Sequence, residues 1–274
     1  MAPQRIGLLV WCAVWSPVAA SAQVLGGPRP QATAPRATGL LPRFLTTVDV
    51  THLSGTDADN QFNWDTDLAV DLDVVDVGFL RANIFANVET MVGSERRGVD
   101  PNQSGYTLDV TVFFRLPRGE LASTFHHVSR HLSDRATTES VSWNLVGAAY
   151  GDRSSVGPFG FEAGARGMGN VGRNSVDYDG QFDGYLNVTR SISDTIAIIA
   201  SADGVIVPVD SSKFGRDTRR GGRLEAELRV LGTAAAVDIF VAWEQRSDAE
   251  FAISDTTRWT HVGFRLAAPM PFRE

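Results

Sequence analysis

Three of the five histidines in this 274-residue chain fall inside one short stretch, FHHVSRHLSD, from Phe125 to Asp134. His127 and Ser129 stand two positions apart, and His131 follows two further on. In an extended strand that spacing turns both side chains the same way, with Cα atoms about 6.5 to 7 Å apart, so an imidazole can reach a serine hydroxyl. A base that takes the hydroxyl proton makes serine an acyl nucleophile, and a third polar group must then orient the imidazole. Asn144 in SVSWN and Glu139 in TTES are the downstream candidates for that third role.

The element that must carry these residues is a strand, because the whole chain alternates. In FNWDTDLAVDLDV, Phe62, Trp64, Leu68, Val70, Leu72 and Val74 share one face, and Asn63, Asp65, Asp67, Asp71 and Asp73 share the other. A period of two is the signature of a strand with one apolar face. It recurs with Leu80, Ala82, Ile84, Ala86 and Val88 against Arg81, Asn83, Asn87 and Glu89, and again with Leu224, Ala226, Leu228 and Val230 against Arg223, Glu225, Glu227 and Arg229. No segment keeps a helical period.

About twelve strands are predicted, near 43–54, 62–76, 79–93, 105–116, 120–132, 140–150, 158–170, 178–191, 194–207, 222–233, 235–248 and 257–269. Connections near 77–78, 117–119, 152–156, 192–193 and 234 are short, and those near 55–61, 94–104, 133–139, 171–177, 208–221 and 249–256 are longer and polar. Short turns alternating with long loops, on strands of about this length, predict an all-β fold: a single antiparallel transmembrane β-barrel of the bacterial outer membrane. A soluble sandwich or lipocalin-like barrel would also bury one face, but it does not require uniformly long strands with this loop alternation.

The flanking segments agree. Residues 1–22 combine Arg5, an apolar run from Ile6 to Val18 and the small ending Ala20-Ser21-Ala22, which reads as a secretory signal. The run is shorter than the roughly 20 residues that cross a bilayer as a helix. Cys12, the chain's one cysteine, lies within it, so the exported form needs no disulfide. Residues 23–40 are rich in Pro, Gly and Ala and read as a flexible periplasmic leader, with the barrel spanning 41–274. A net charge of −7 without a Lys/Arg cluster excludes a nucleic-acid partner.

Counted from a periplasmic N-terminus, odd strands run outward, so strand five ends at the cell surface. Alternation puts Leu121, Ser123, Phe125, His127, Ser129 and His131 on one face, and the apolar Leu121 and Phe125 mark it as the lipid face. Polar groups facing lipid are costly and invite a functional explanation. Headgroup contact and polar decoration at the membrane surface are the non-catalytic explanations of the same residues.

Here the sequence resembles a family. HVS at 127–129, the further Ser133 and SWN at 142–144 are similar to the His-x-Ser and Ser-Trp-Asn elements of outer-membrane phospholipase A, a twelve-stranded barrel of similar length. The resemblance implies Ser129 as nucleophile, His127 as base and Asn144 as the orienting group, with Ca²⁺ assisting at a homodimer interface. It also implies membrane lipid, phospholipid or lipopolysaccharide, as the substrate partner. The His-x-Ser pair followed by an acid on the next strand is similar to lipid A deacylases too, in which Glu139 replaces Asn144. Ser129 to Asp134 also resembles a Ser-His-Leu-(Gly)-Asp motif of uncharacterised outer-membrane barrels. Two features depart from the phospholipase pattern. Arg130-His131 stands where that family has Asn-Gly, and the serine-to-asparagine interval is longer.

Other candidates carry less. Asp57 to Asn60 offers oxygen ligands for Ca²⁺. His52 and His261 read as hydrogen-bonded strand histidines, and Gly164, Gly167 and Gly169 as closely packed strand glycines. Trp64, Trp143, Trp243, Trp259, Tyr106 and Tyr178 are assigned to interfacial girdles. Assembly by the barrel-insertion machinery is expected, although Phe272, the last aromatic, stands two residues before the final Glu274 and makes an imperfect terminal aromatic. The acidic face of strand two, with Arg81, Arg115, Arg166, Arg223 and Arg229 on other strands, predicts a charge-paired lumen, the alternative being a cation-favouring pore.

Overall fold

The structure is a computed structural model that describes residues 38–55, 61–133, 141–251 and 255–269. Glu139, the Asp57–Asn60 run, the signal segment, the leader up to residue 37 and Phe272 lie outside the described residues.

Alternating sequence becomes twelve strands: β1 (Gly39–Ser54), β2 (Trp64–Asp76), β3 (Leu80–Gly93), β4 (Asp100–Arg115), β5 (Glu120–Leu132), β6 (Val141–Val156), β7 (Phe159–Asn174), β8 (Gly180–Ser191), β9 (Ile196–Val207), β10 (Arg219–Leu231), β11 (Ala236–Ser247) and β12 (Thr256–Pro269). Each pairs antiparallel with its chain neighbours, and β1 returns to β12, with Leu45 opposite Pro269 and Ser54 opposite Thr260. Closure leaves no unpaired edge, the condition for strands to cross a bilayer. A one-turn helix, α1 (Ser211–Phe214), sits in the β9–β10 loop. Four residues are too few for a helical period, so the sequence pattern does not reveal it. Asp210 caps it by accepting from the Ser212 N–H, and Gly215 ends it with φ of 64°.

Several strands outrun their predicted ends. β7 continues to Asn174, because Arg173 and Asn174 pair with Trp143 and Ser142, and β6 continues to Val156, because Ser154 and Ser155 still pair with Phe161 and Gly160. Arg153 donates to Glu162 at 2.5 Å across the same extension. The alternation of short and long connections survives these shifts.

The two faces divide as predicted along the strands, but Phe62, expected to share the outer face of Trp64, precedes the first residue of β2 and is buried inside. Asp65, Asp67, Asp71, Asp73, Arg81, Asn83, Asn87 and Glu89 are buried in the lumen, whereas Trp64, Leu68, Ile84 and Val88 are exposed on the outer wall. A charge taken out of water must find a partner. Arg43 donates to Asp71 at 2.7 Å and to Asp73 at 2.8 Å. Arg81 bridges Asp73 at 2.9 Å and Glu120 at 2.8 Å. Arg246 serves Asp65 at 3.4 Å, Glu89 at 2.7 Å and Glu244 at 2.7 Å. Arg265 reaches Asp49 at 2.9 Å, Glu225 at 3.1 Å and Glu227 at 2.9 Å. Arg115, Arg166, Arg223 and Arg229 are likewise engaged by carboxylates. Asp67 is the exception among the strand-two carboxylates, held by the Asn87 amide at 2.6 Å.

At the long-loop end the lumen is filled differently. Val128, Val141, Trp143, Leu145, Met168 and Tyr178 pack together there, and Leu53, Phe62, Met91, Ala249 and Trp259 form a second apolar group. Above them Arg216 donates to Asp177 and Asp248, both at 2.6 Å, while the Tyr178 hydroxyl donates to Asp248 at 2.8 Å. Burial and the Asp248 carboxylate push the Tyr178 phenol above its ordinary range, which keeps it a donor. Burial alone would lower Arg216, but Asp177 and Asp248 hold it above its ordinary value.

This plug corrects the girdle assignment for three residues. Trp143, Trp259 and Tyr178 are almost completely buried inside the barrel, and only Trp64, Trp243 and Tyr106 stand on the outer wall. Pleat parity overrides residue type, since Trp143 and Trp259 alternate with outward neighbours and must face in. His52 is also exposed, with its ring edge-on to Trp64 at 4.9 Å, while His261 is buried with Nε2 3.3 Å from Glu244 but, against the expectation of a hydrogen-bonded histidine, neither of its ring nitrogens makes a hydrogen bond. Of the three glycines, a Cβ at Gly164 would lie 2.6 Å from the Tyr185 ring and one at Gly167 3.2 Å from Phe182, but one at Gly169 would meet nothing within 4 Å.

Arg246 is buried and shared by three lumenal carboxylates, so Arg246→Met is expected to cost about 3–5 kcal/mol of stability. The shift in urea-unfolding midpoint of vesicle-refolded barrel measures it. Arg118→Met, whose side chain is 81% exposed, is expected to change stability by less than about 1 kcal/mol. Equal shifts in the two variants would contradict the paired-lumen account.

Candidate functional site

Strand β5 sorts its residues by parity. Ala122, Thr124, His126, Val128 and Arg130 are buried inside, and Leu121, Phe125 and His131 are exposed outside, with His127 and Ser129 half-buried on that same outer face. Adjacent histidines therefore meet opposite surroundings. His126 is held in the lumen by Asp109, whose other oxygen receives Arg166 at 3.1 Å, so it is part of the charge network. His127 faces the bilayer side.

Register brings in the partners. Across β5 and β6, His127 lies opposite Asn144 and Ser129 opposite Ser142. Across β4 and β5, Tyr106 lies opposite Ser129 and Leu108 opposite His127. The His127 Nδ1 atom is 2.8 Å from the Asn144 Oδ1 atom. The Asn144 Nδ2 group in turn donates to the Gly172 carbonyl on β7 at 3.3 Å. That second bond fixes which end of the amide faces the ring: Oδ1 can only accept, so His127 must carry its proton on Nδ1 and leave Nε2 free as a base. Among the described residues no hydrogen bond joins Ser129 to His127; such contacts commonly tighten when substrate binds.

Gly172 reaches this position through an irregularity. Asn144 pairs with Gly172 but the next residue, Leu145, pairs with Asn170, so Val171 is an extra residue in β7. Beside the unpaired Val171, the Gly172 N–H donates to the Asn170 Oδ1 atom at 2.8 Å. Bulges of this kind re-aim groups beside functional sites.

Along the wall the site is graded. Toward the short-turn end lie Phe125, Val110 and Val146, all exposed and apolar. Toward the long loops lie Tyr106 and His131, whose rings meet edge-on at 5.3 Å, and the Ser104 and Ser133 hydroxyls at 2.8 Å from one another. The three predicted residues His127, Ser129 and Asn144 thus share one surface, while Glu139 falls outside the described residues. Ser142, Asn170 and Gly172 were not singled out in the sequence, although Ser142 is the first residue of the quoted SWN, and Tyr106 was singled out only as a girdle aromatic. No group of three or more His, Cys, Asp or Glu that could hold a metal occurs among the described residues. The Ca²⁺ expectation therefore finds no fitting carboxylate set there, and the Asp57–Asn60 run is not described.

No protein-family model matches the chain, and no curated protein matches it. Solved structures do. Outer membrane phospholipase A from Escherichia coli aligns with a TM-score of 0.53 at 12% identity, over 82% of this chain and 89% of that one. The calcium-bound outer membrane phospholipase dimer of Salmonella typhi aligns at 0.52 and 11% identity, over 82% and 90%. LpxR from Salmonella typhimurium aligns at 0.47 and 6% identity, over 82% and 99%. At these identities the first two establish the fold alone: a closed twelve-stranded outer-membrane β-barrel.

Parity makes a direct test of the site's orientation possible. In a Cys12→Ser background, a nitroxide attached through His127→Cys is expected to be relaxed strongly by lipid-dissolved oxygen, and one attached through Thr124→Cys weakly. The reverse ranking would put His127 in the lumen.

Proposed function

We propose that the barrel is a lipid acyl-ester hydrolase, of phospholipase A or lipid A deacylase type, with Ser129 as nucleophile, His127 as base and Asn144 as the group that orients the imidazole. The observation that carries this reading is the 2.8 Å contact between His127 and Asn144 beside Ser129 on the outward face of the wall. Glu139 remains the acidic alternative, and Asn144 is preferred because its contact is observed.

The chemistry follows from the tautomer. The Ser129 hydroxyl proton passes to Nε2 of His127 as Oγ bonds to the ester carbonyl carbon. The alcohol oxygen of the lipid leaves with that proton, freeing the lyso product. Water deprotonated by the same nitrogen then releases the fatty acid and restores the serine. A neutral amide behind the imidazole stabilises the transient imidazolium without leaving a permanent charge against lipid, which would be costly.

The grading of the wall supports a lipid substrate. Acyl chains would lie over Phe125, Val110 and Val146, with the ester at Ser129 and the headgroup toward Tyr106 and His131. Substrate would then arrive by diffusion in the membrane plane. Export on the 1–22 signal, assembly by the barrel-insertion machinery, residence in the bacterial outer membrane and a homodimer belong to the same proposal. No step is routed through Ca²⁺.

The non-catalytic reading, a structural barrel, is favoured over a cation pore by the lumen, where Asp65, Asp71 and Asp73 are each held by an arginine. Planar-bilayer recordings distinguish the two, and stepwise current would revive the pore. The hydrolase reading is tested by acyl release from mixed-micelle phospholipid and from lipid A, with and without Ca²⁺, comparing the wild type with Ser129→Ala. The variant is expected to lose at least about 10³-fold in rate. Equal rates, or no release by the wild type, would leave the structural reading.

A further inference from the structure

We infer that Asn170, which touches neither Ser129 nor His127, is a positioning residue that sets the His127 tautomer through the β7 bulge; as a statement about catalysis this rests on the hydrolase reading above. The path is continuous. The Asn170 Oδ1 atom accepts the Gly172 N–H at 2.8 Å, the Gly172 carbonyl accepts Asn144 Nδ2 at 3.3 Å, and Asn144 Oδ1 accepts His127 Nδ1 at 2.8 Å.

Each link needs the one before it. With Val171 unpaired, the ladder is interrupted just before Gly172, and the side chain two residues earlier accepts the Gly172 N–H, as asparagine does in turns. Without that acceptor the peptide is free to rotate, and its carbonyl no longer presents one fixed lone pair to Asn144. An amide with both ends free presents either Nδ2 or Oδ1 to the ring. Presenting Nδ2 would require His127 to hold its proton on Nε2, and the base facing Ser129 would be lost.

The Asn170 Nδ2 group is buried and makes no hydrogen bond. Only the oxygen of this side chain is used, so a carboxylate should substitute for the amide. That separates positioning from mere packing, because Asn170→Ala and Asn170→Asp both alter the surroundings but only the first removes the acceptor.

The test combines nitrogen-15 histidine spectra of the micelle-bound barrel, with the His127 signal assigned by its loss in His127→Gln, and acyl-release kinetics. Heat-modifiable gel migration verifies that each variant is folded. The wild type is expected to show His127 protonated on Nδ1. Asn170→Ala is expected to show a mixture of tautomers and a fall in kcat of about tenfold, the order of one net hydrogen bond, with KM little changed. Asn170→Asp is expected to recover both. A shifted tautomer in Asn170→Ala supports the inference even if the wild type releases no fatty acid, in which case the hydrolase reading alone fails. An unchanged tautomer in folded Asn170→Ala, or no recovery in folded Asn170→Asp, would overturn it.

Discussion

The pairing of charges inside a closed sheet is the constraint on which the rest of this structure depends. Once β12 joins β1, every strand has two neighbours and the backbone is satisfied without water, so the outer wall is free to be apolar. The alternate side chains then have nowhere to go but a narrow lumen. Carboxylates and guanidiniums brought there lose their hydration, and the loss is offset only where each finds an opposite charge at short range. Arg246 and Arg265 meet that demand by serving three carboxylates apiece across several strands. At the long-loop end, rings and aliphatic groups take over the filling, with Arg130 lying over the Trp143 ring at 5.4 Å and Arg246 over Trp259 at 5.5 Å.

Against that division the outer wall of β5 and β6 is an anomaly. Polar side chains belong inside by the logic of the fold, and most of them are there, yet His127, Ser129, Ser142 and Asn144 face outward. Stability does not account for the arrangement, since His126, one position away, shows what the fold does with a histidine it can use internally. On the proposed reading, the hydrogen-bonded His127–Asn144 pair beside Ser129 is the part of a triad that orients the base. The β7 bulge adds a local departure from the ladder at the same spot, and such departures gather where function needs a group re-aimed.

Much of this was legible in the sequence because a strand's period is two and a barrel wall has two faces. The twelve strands, the inverted polarity and the outward face of His127 all follow from alternation. Strand ends were less legible. Ser154 and Ser155 carry no apolar signal, yet they extend the β6–β7 ladder to Val156. For Trp143 and Trp259 parity outweighs residue type, and Asn144 facing out already requires Trp143 to face in; Tyr178 lies in the β7–β8 loop, where no alternation applies, and is buried in the plug. The bulge left a trace that alternation could have found. Arg166, Met168 and Asn170 point inward on even positions, whereas Arg173 points inward on an odd one, its side chain donating to Asp177 and Tyr178 carbonyls at the plug. A change of parity within one strand is a bulge, and the Asn-x-Gly spacing marks where it falls. The contact of His127 with Asn144 depends on register across the 133–140 loop, which alternation leaves undetermined to within two residues.

The central claim is that Ser129 is a nucleophile activated by His127 at the lipid-facing wall. Its most direct measurement is labelling of native outer-membrane vesicles with an alkyl fluorophosphonate, followed by peptide mass spectrometry, for the wild type and for His127→Ala. The predicted result is a single phosphonylated serine, Ser129, with labelling lost when His127 is replaced. Labelling of another serine, or labelling of Ser129 that persists without His127, would contradict the account.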